Sequence, residues 1–115
     1  MPPRDWLYRI GDILAAIEKI QRFTHGLDLS GFQADEKSRD AVIRNLTVIG
    51  EAALHLPDSV KTAYPGIPWR EMQGIRNIVV HEYFGVSDEI LWETIQRDLP
   101  ALLAPLRALR GDTRE

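Results

Sequence analysis

The sequence has no cysteine and only three histidines, at positions 25, 55 and 81. Without cysteine the chain can form no disulfide, thiolate nucleophile, iron–sulfur cluster or cysteine-type zinc site. The histidines lie too far apart in the chain to show the spacing of metal ligands. We therefore expect neither a bound metal nor a cofactor.

An excess of positive charge is also lacking, because 14 Lys and Arg residues stand against 17 Asp and Glu residues, for a net charge of −3. Overall basicity therefore gives the chain no nonspecific hold on nucleic acid, although a local basic patch remains open. No stretch comes near the ~18 apolar residues of a membrane-spanning helix. The first residues lack the basic segment and apolar run of a secretory signal. We expect a cytoplasmic protein without a membrane partner.

Most of the sequence has the apolar periodicity of amphipathic helices. With 44% hydrophobic and 27% charged residues the composition is that of a soluble globular protein, and 115 residues fit one domain spanning 1–115. Apolar residues recur at alternating steps of three and four. They are Trp6, Ile10, Ile13, Ile17 and Ile20, then Val42, Leu46, Ile49, Ala53 and Leu56, and finally Trp92, Ile95, Leu99, Leu102, Leu106 and Leu109. This pattern predicts an all-α fold, an antiparallel bundle of four long helices and one short helix.

Capping residues and helix breakers set the predicted boundaries. Helices are expected over residues 5–24, from Asp35 or Ser38 to Pro57, over 58–63 with Asp58 or Ser59 as cap, over 68–84, and from about 88 onward, with a loop over 26–34. Pro100 and Pro105 interrupt the last helix, where we expect a kink or a break. Gly50 and Gly74 are candidate positions of close contact between helices.

The fourth helix carries the residues that are most informative about function. At about 100° per residue, Arg76 and Tyr83 share a face, and Asn77 and His81 are neighbours one turn apart. Arg76 lies at the border of the apolar face. It must be paired or reach a cleft there, because an unpaired buried charge is costly.

These residue types suit the cleavage of an RNA backbone without a metal. The planar guanidinium of Arg76 fits a phosphate, and histidine, the residue type at position 81, suits proton transfer at cellular pH. Asn77 could orient His81 or bind the phosphate. From the spacing alone, an arginine in a structural ion pair and a polar surface histidine remain an open alternative.

Further polar residues are candidates for contacts near this helix face. Arg70 and Gln73 fall on the same side as Asn77, and together with Arg44 they are candidate RNA-binding residues. Glu51 is expected to pair with an arginine, either Arg76 or Arg44.

The segment from Arg76 to Tyr83 resembles the signature of HEPN-domain proteins, and its extended form, Arg-x4-His-x-Tyr, resembles that of the HepT-like toxins. The flanking sequences agree: they are Pro68-Trp69-Arg70, Phe84-Gly85-Val86, Ile49-Gly50-Glu51-Ala52 and Ile90-Leu91-Trp92-Glu93. The resemblance covers about residues 5–107.

The resemblance implies a homodimeric all-α HEPN bundle in which two copies of the motif line one cleft at the interface. It implies a metal-independent endoribonuclease toxin that cuts tRNA or mRNA, with no DNA expected. Arg76 and His81 match the catalytic pair and Asn77 the polar position after the arginine. The implied antitoxin is a cognate minimal nucleotidyltransferase that transfers AMP from ATP to the motif tyrosine, here Tyr83.

Two other classes of function remain open from the sequence. HEPN-type bundles also occur as non-catalytic dimerising or nucleotide-sensing partners of nucleotidyltransferases. A purely structural helical interaction protein would leave Arg76 and His81 without a joint role.

Overall fold

Helices follow one another closely along the whole described chain. The computed structural model describes the backbone of residues 5–83 and 88–113 and the side chains of residues 6–80 and 88–111. The elements are α1 (Asp5–Thr24), α2 (Leu29–Ala34), α3 (Glu36–Leu54), α4 (Asp58–Ala63), α5 (Trp69–Tyr83), α6 (Asp88–Glu93), a π-helical turn (Thr94–Asp98) and α7 (Leu99–Thr113). The described residues contain no strand, which confirms the predicted all-α class.

One apolar core joins the long helices, and α3 lies at its centre. α3 packs against α1 on one side and α5 on the other, and α7 packs against α1. The largest fully buried side chains are Phe32, Ile10, Ile13, Leu14, Ile17, Ile20, Leu46, Ile49, Met72, Leu91, Leu99 and Leu106. Burying each such side chain contributes about 1.5–3 kcal/mol, so this core holds the two helices that carry the candidate site.

The beginning of α3 distinguishes between the two predicted caps. Asp35 is the N-cap, and its carboxylate accepts hydrogen bonds from the Ser38 amide at 3.1 Å and from the Ser38 hydroxyl at 2.8 Å. Both bonds hold the pKa of the Asp35 carboxyl below its usual value, and the bond from the Ser38 amide has the larger effect. α3 ends at Leu54, two residues before the last residue of its predicted stripe.

The predicted loop over residues 26–34 is wrong for its last six residues, which form α2 (Leu29–Ala34). The Asp28 carboxylate caps this helix by accepting from the Gly31 amide at 2.7 Å. Phe32 of α2 is fully buried. The centroid of its ring lies 5.2 Å from the centroid of the Trp92 ring. A six-residue helix is too short to show a period, so its stability depends on this tertiary contact.

The bounds of α4 are as predicted, but the predicted caps are wrong. Its N-cap is Pro57, without a side-chain capping bond, and Asp58 and Ser59 lie inside the helix. The proline ring sets φ at −63°, so Pro57 turns the chain into the helix by its backbone geometry.

The chain remains helical through both prolines of the last segment, which corrects the expected break. The turn before Pro100 widens instead, and the Leu99 amide bonds to the Thr94 carbonyl, five residues back. Proline has no amide hydrogen and its ring crowds the carbonyl four residues earlier. A π-helical turn removes that conflict, and Pro105 lies inside α7.

Candidate nucleic-acid site on α3 and α5

The backbone of α5 comes close to α3 at Arg76. A Cβ atom built on Gly50 would lie 3.0 Å from the Cβ and 3.1 Å from the backbone nitrogen of Arg76. Such distances are tighter than an ordinary contact, so glycine lets α3 and α5 approach here without a shift of the backbone. The expectation of close contact is confirmed for Gly50. It is wrong for Gly74, since no atom of the residues that the structure describes lies within 4 Å of its Cβ position.

The next residue of α3 pairs with the side chain of Arg76. Nε of Arg76 lies 3.1 Å from Oε1 of Glu51, and the two side chains are 53% and 41% exposed. The sequence left open whether Glu51 pairs with Arg76 or Arg44, and the structure selects Arg76. Arg76 is therefore half exposed and paired, as its position at the border of the apolar face required.

The exposed face of α5 also carries Asn77. Met72 and Ile75 on the opposite side are buried, and Val79 packs against the core. The predicted division of α5 into a core face and a polar face is confirmed for these side chains. Asn77 and Arg76 are thus presented together at the surface.

His81 and Tyr83 belong to α5, but their side chains lie outside the described residues. Their backbone positions place them five and seven residues beyond Arg76 on the same continuous helix. The roles assigned to both side chains therefore stay predictions.

The candidate RNA-binding residues Arg44, Arg70 and Gln73 lie on the same two helices as the Arg76–Glu51 pair. Arg44 and Arg70 are exposed and Gln73 is half-buried. Among the side chains that the structure describes, no hydrogen bond or ion pair joins any of the three to Arg76. Their part in RNA binding stays a prediction.

His55 is the site neighbour to which sequence reasoning gave no role. Its Nδ1 lies 2.8 Å from the backbone carbonyl of Glu51 and 3.9 Å from the Glu51 Oε2. Since a carbonyl only accepts, this contact favours the tautomer with hydrogen on Nδ1. The four-residue spacing between Glu51 and His55 on a helix was the signal that could have found it.

The described residues show two further absences. Among the described side chains, those of residues 6–80 and 88–111, no group of three or more His, Cys, Asp and Glu residues is placed to hold a metal ion. None of the helices described within 5–83 and 88–113 is long and apolar enough to cross a membrane.

Comparison with known proteins places the whole arrangement in a family. A protein of Thermococcus cleftensis named "Probable ribonuclease HepT" is 43% identical over 99 residues, which cover 86% of this chain and 90% of the relative. A protein of Methanocaldococcus jannaschii, whose name provisionally calls it an RNase, is 36% identical over 115 residues, covering 100% of this chain and 99% of the relative. A similarly named protein of Caldanaerobacter subterraneus is 36% identical over 100 residues, 87% of each chain.

No solved structure gives a significant match. The family profile described as "Ribonuclease HepT-like" matches residues 13–109, and this range contains α3, α5 and the Arg-x4-His-x-Tyr segment. The chain belongs to the ribonuclease HepT-like family.

Proposed function

We propose that this protein is a metal-independent endoribonuclease toxin that cuts RNA at a cleft formed by two copies of the chain. The observation that carries the proposal is the surface presentation of Arg76, half exposed and held by Glu51 within the family's Arg-x4-His segment. The ribonuclease names of the relatives support the same class of reaction.

In the proposed reaction, His81 transfers protons and Arg76 stabilises negative charge. The ribose 2′-oxygen attacks the adjacent phosphorus, the bond from phosphorus to the 5′-oxygen breaks, and a cyclic phosphate and a 5′-hydroxyl result. His81 takes the 2′-hydroxyl proton or delivers one to the leaving oxygen. Arg76 stabilises the negative charge that develops on the phosphate oxygens. Asn77 orients His81 or binds the phosphate.

A toxic ribonuclease must be kept inactive in the cell that makes it. In this proposal, the modification of Tyr83 inactivates the enzyme. The tyrosine oxygen attacks the α-phosphorus of ATP, pyrophosphate leaves, and AMP stays on Tyr83. A cognate minimal nucleotidyltransferase carries out this transfer as the antitoxin. Because Arg76 and Tyr83 share a helix face, the adduct places bulk and a negative phosphate beside the arginine. The bulk of the adduct then blocks the RNA backbone, and its negative phosphate neutralises the arginine that would bind it.

The test of the proposed reaction is RNA cleavage in a chelator by unmodified protein beside His81→Ala, with tRNA and mRNA as substrates. We expect the wild type to cleave and the variant to lose roughly 10²–10⁴-fold in rate. Circular dichroism checks that the variant is folded. If protein whose mass shows no adduct leaves both RNAs intact, the proposed function is wrong and a non-catalytic partner of a nucleotidyltransferase is favoured.

The modification site has its own test, with Tyr83→Phe as the variant. After incubation with the partner nucleotidyltransferase and ATP, the wild type should gain the mass of AMP and lose cleavage. The Phe variant should keep its mass and its cleavage, because it lacks the acceptor oxygen. Adenylylation of the Phe variant to the same extent would place the modification elsewhere.

A further inference from the structure

Glu51 engages Arg76 at one particular nitrogen. The contact of 3.1 Å joins Glu51 Oε1 to Nε, the nitrogen nearest the aliphatic stem of the arginine. An ion pair at Nε favours one orientation of the guanidinium, and the terminal nitrogens of an arginine are donors that suit a phosphate. The half-exposed Arg76 side chain is thus oriented without being buried.

The backbone beneath Arg76 is fixed by the neighbouring residue of α3. Gly50 lets the Arg76 backbone approach so closely that a Cβ atom at residue 50 would lie only 3.0–3.1 Å from the nearest atoms of Arg76. Gly50 and Glu51 therefore form what we term the Arg76 seat: one residue sets the position of the backbone and the next sets the direction of the side chain. Both belong to α3, which is anchored in the core by its buried residues Leu46, Ile49 and Ala53.

The Glu51 carboxylate lies between Arg76 and His55. Its Oε2 faces Nδ1 of His55 at 3.9 Å while Oε1 faces Arg76 at 3.1 Å. The His55 ring is in turn fixed by its 2.8 Å bond to the Glu51 carbonyl. A carboxylate between two such groups has fewer rotamers to lose when it orients the arginine.

We propose that Glu51 is a positioning residue for RNA cleavage, which orients the Arg76 guanidinium toward the scissile phosphate. This inference rests on the proposed ribonuclease function. Glu51 also places a negative charge near the cleft, which weakens the attraction of RNA. A carboxylate that lowers binding is useful at this site only if orientation in the transition state outweighs that loss.

These two effects of Glu51 separate in the kinetics. Glu51→Ala removes both the charge and the oxygens that face Arg76, so kcat should fall roughly 10- to 100-fold because the guanidinium loses its orientation. Glu51→Gln keeps a polar oxygen beside Nε but loses the charge, so kcat should fall less, by about threefold, because a neutral contact is weaker than a charged one. KM should not rise in either variant, because each removes a negative charge near the RNA.

The matched control is Glu18, which pairs with Arg107 at 2.9 Å and is 48% exposed. Glu18→Ala and Glu18→Gln remove the same groups from an equally exposed glutamate–arginine pair. Both should keep wild-type kcat. Circular dichroism and thermal melting of all variants exclude loss of folding as the cause of a fall in kcat.

A second measurement detects the seat without cleavage. In nitrogen-15 NMR spectra, Nε–H of Arg76 should exchange with water more slowly in the wild type and Glu51→Gln than in Glu51→Ala. If the wild type cleaves RNA but Glu51→Ala keeps or raises kcat, Glu51 is not a positioning residue, although the ribonuclease function stands. Equal Nε–H exchange in all three proteins also overturns the inference. If the wild type cleaves nothing, the proposed function fails, and the positioning role fails with it.

Discussion

Two glutamate–arginine pairs link different helices of this protein with similar distances and exposures. Glu51 on α3 meets Arg76 on α5 at 3.1 Å, and Glu18 on α1 meets Arg107 on α7 at 2.9 Å. All four side chains are between 41% and 53% exposed. By these measures the two pairs are equivalent, and pairs of this exposure contribute little to stability.

The pairs differ in the nitrogen that is used and in what lies beneath the arginine. Arg107 binds its partner through Nη2, a terminal nitrogen, whereas Arg76 uses Nε. Arg107 lines an open surface groove with Gln21, Arg22 and His25, whereas the backbone of Arg76 lies against Gly50. The two arginines thus differ in geometry although their ion pairs have similar lengths and exposures.

The largest effect should come from removing the two arginines in turn. Arg76→Ala should lower RNA cleavage roughly 10²–10³-fold, the cost of losing one donor to a transition-state oxyanion. Arg107→Ala should stay within about twofold of the wild type, because surface changes away from a site have small effects. Initial cleavage rates at equal protein concentration measure both. Equal losses in the two variants would mean that the arginines act through net charge, and the comparison would fail.

A smaller effect should come from filling the space at Gly50. Gly50→Ala forces a Cβ against the Arg76 backbone, so the free energy of unfolding should fall by about 1–3 kcal/mol. Gly11→Ala in α1 is the control, since nothing lies within 4 Å of its Cβ position. That change should raise stability by roughly 0.5–1 kcal/mol, because alanine restricts the unfolded chain. Urea denaturation of both variants measures the difference, and a stabilising Gly50→Ala would contradict the close helix approach.

The smallest effect should be on stability when either pair is broken. Glu51→Gln and Glu18→Gln should each change the free energy of unfolding by less than about 1 kcal/mol, because both pairs are exposed to solvent. Thermal melts at low and high salt measure this. A large loss in one variant alone would mean that its pair holds the fold together, and a fall in catalysis could then no longer be assigned to orientation.

The sequence predicts best those helices along which many apolar residues repeat at steps of three and four. α1 has the predicted bounds, Asp5–Thr24, because five apolar residues repeat along it and Gly26, with φ +81°, follows its end. α2 was missed because its six residues contain one buried side chain, Phe32. The partner of that side chain, Trp92, lies far away in the chain, so no local pattern records the contact.

The candidate site divides in the same way. The order Arg76, Asn77, His81 and Tyr83 on one helix follows from the sequence and from helical geometry, and α5 covers all four positions. Whether Glu51 pairs with Arg76 or Arg44 did not follow, because that choice depends on which helix packs against α3. His55 was overlooked for the same reason: its spacing from Glu51 acquires meaning only once Glu51 is placed beside Arg76.

By itself the sequence determined the all-α class, the bounds of α1 and α4, and the family motif on α5, because each depends on residues close together in the chain. Only the tertiary structure decided that Gly50 lies against Arg76 while Gly74 meets nothing. Both are glycines within long helices, and no local property separates them. The physical reason is that a helix shows its periodicity in its own residues, whereas a close approach of two helices exists only after the core has brought them together.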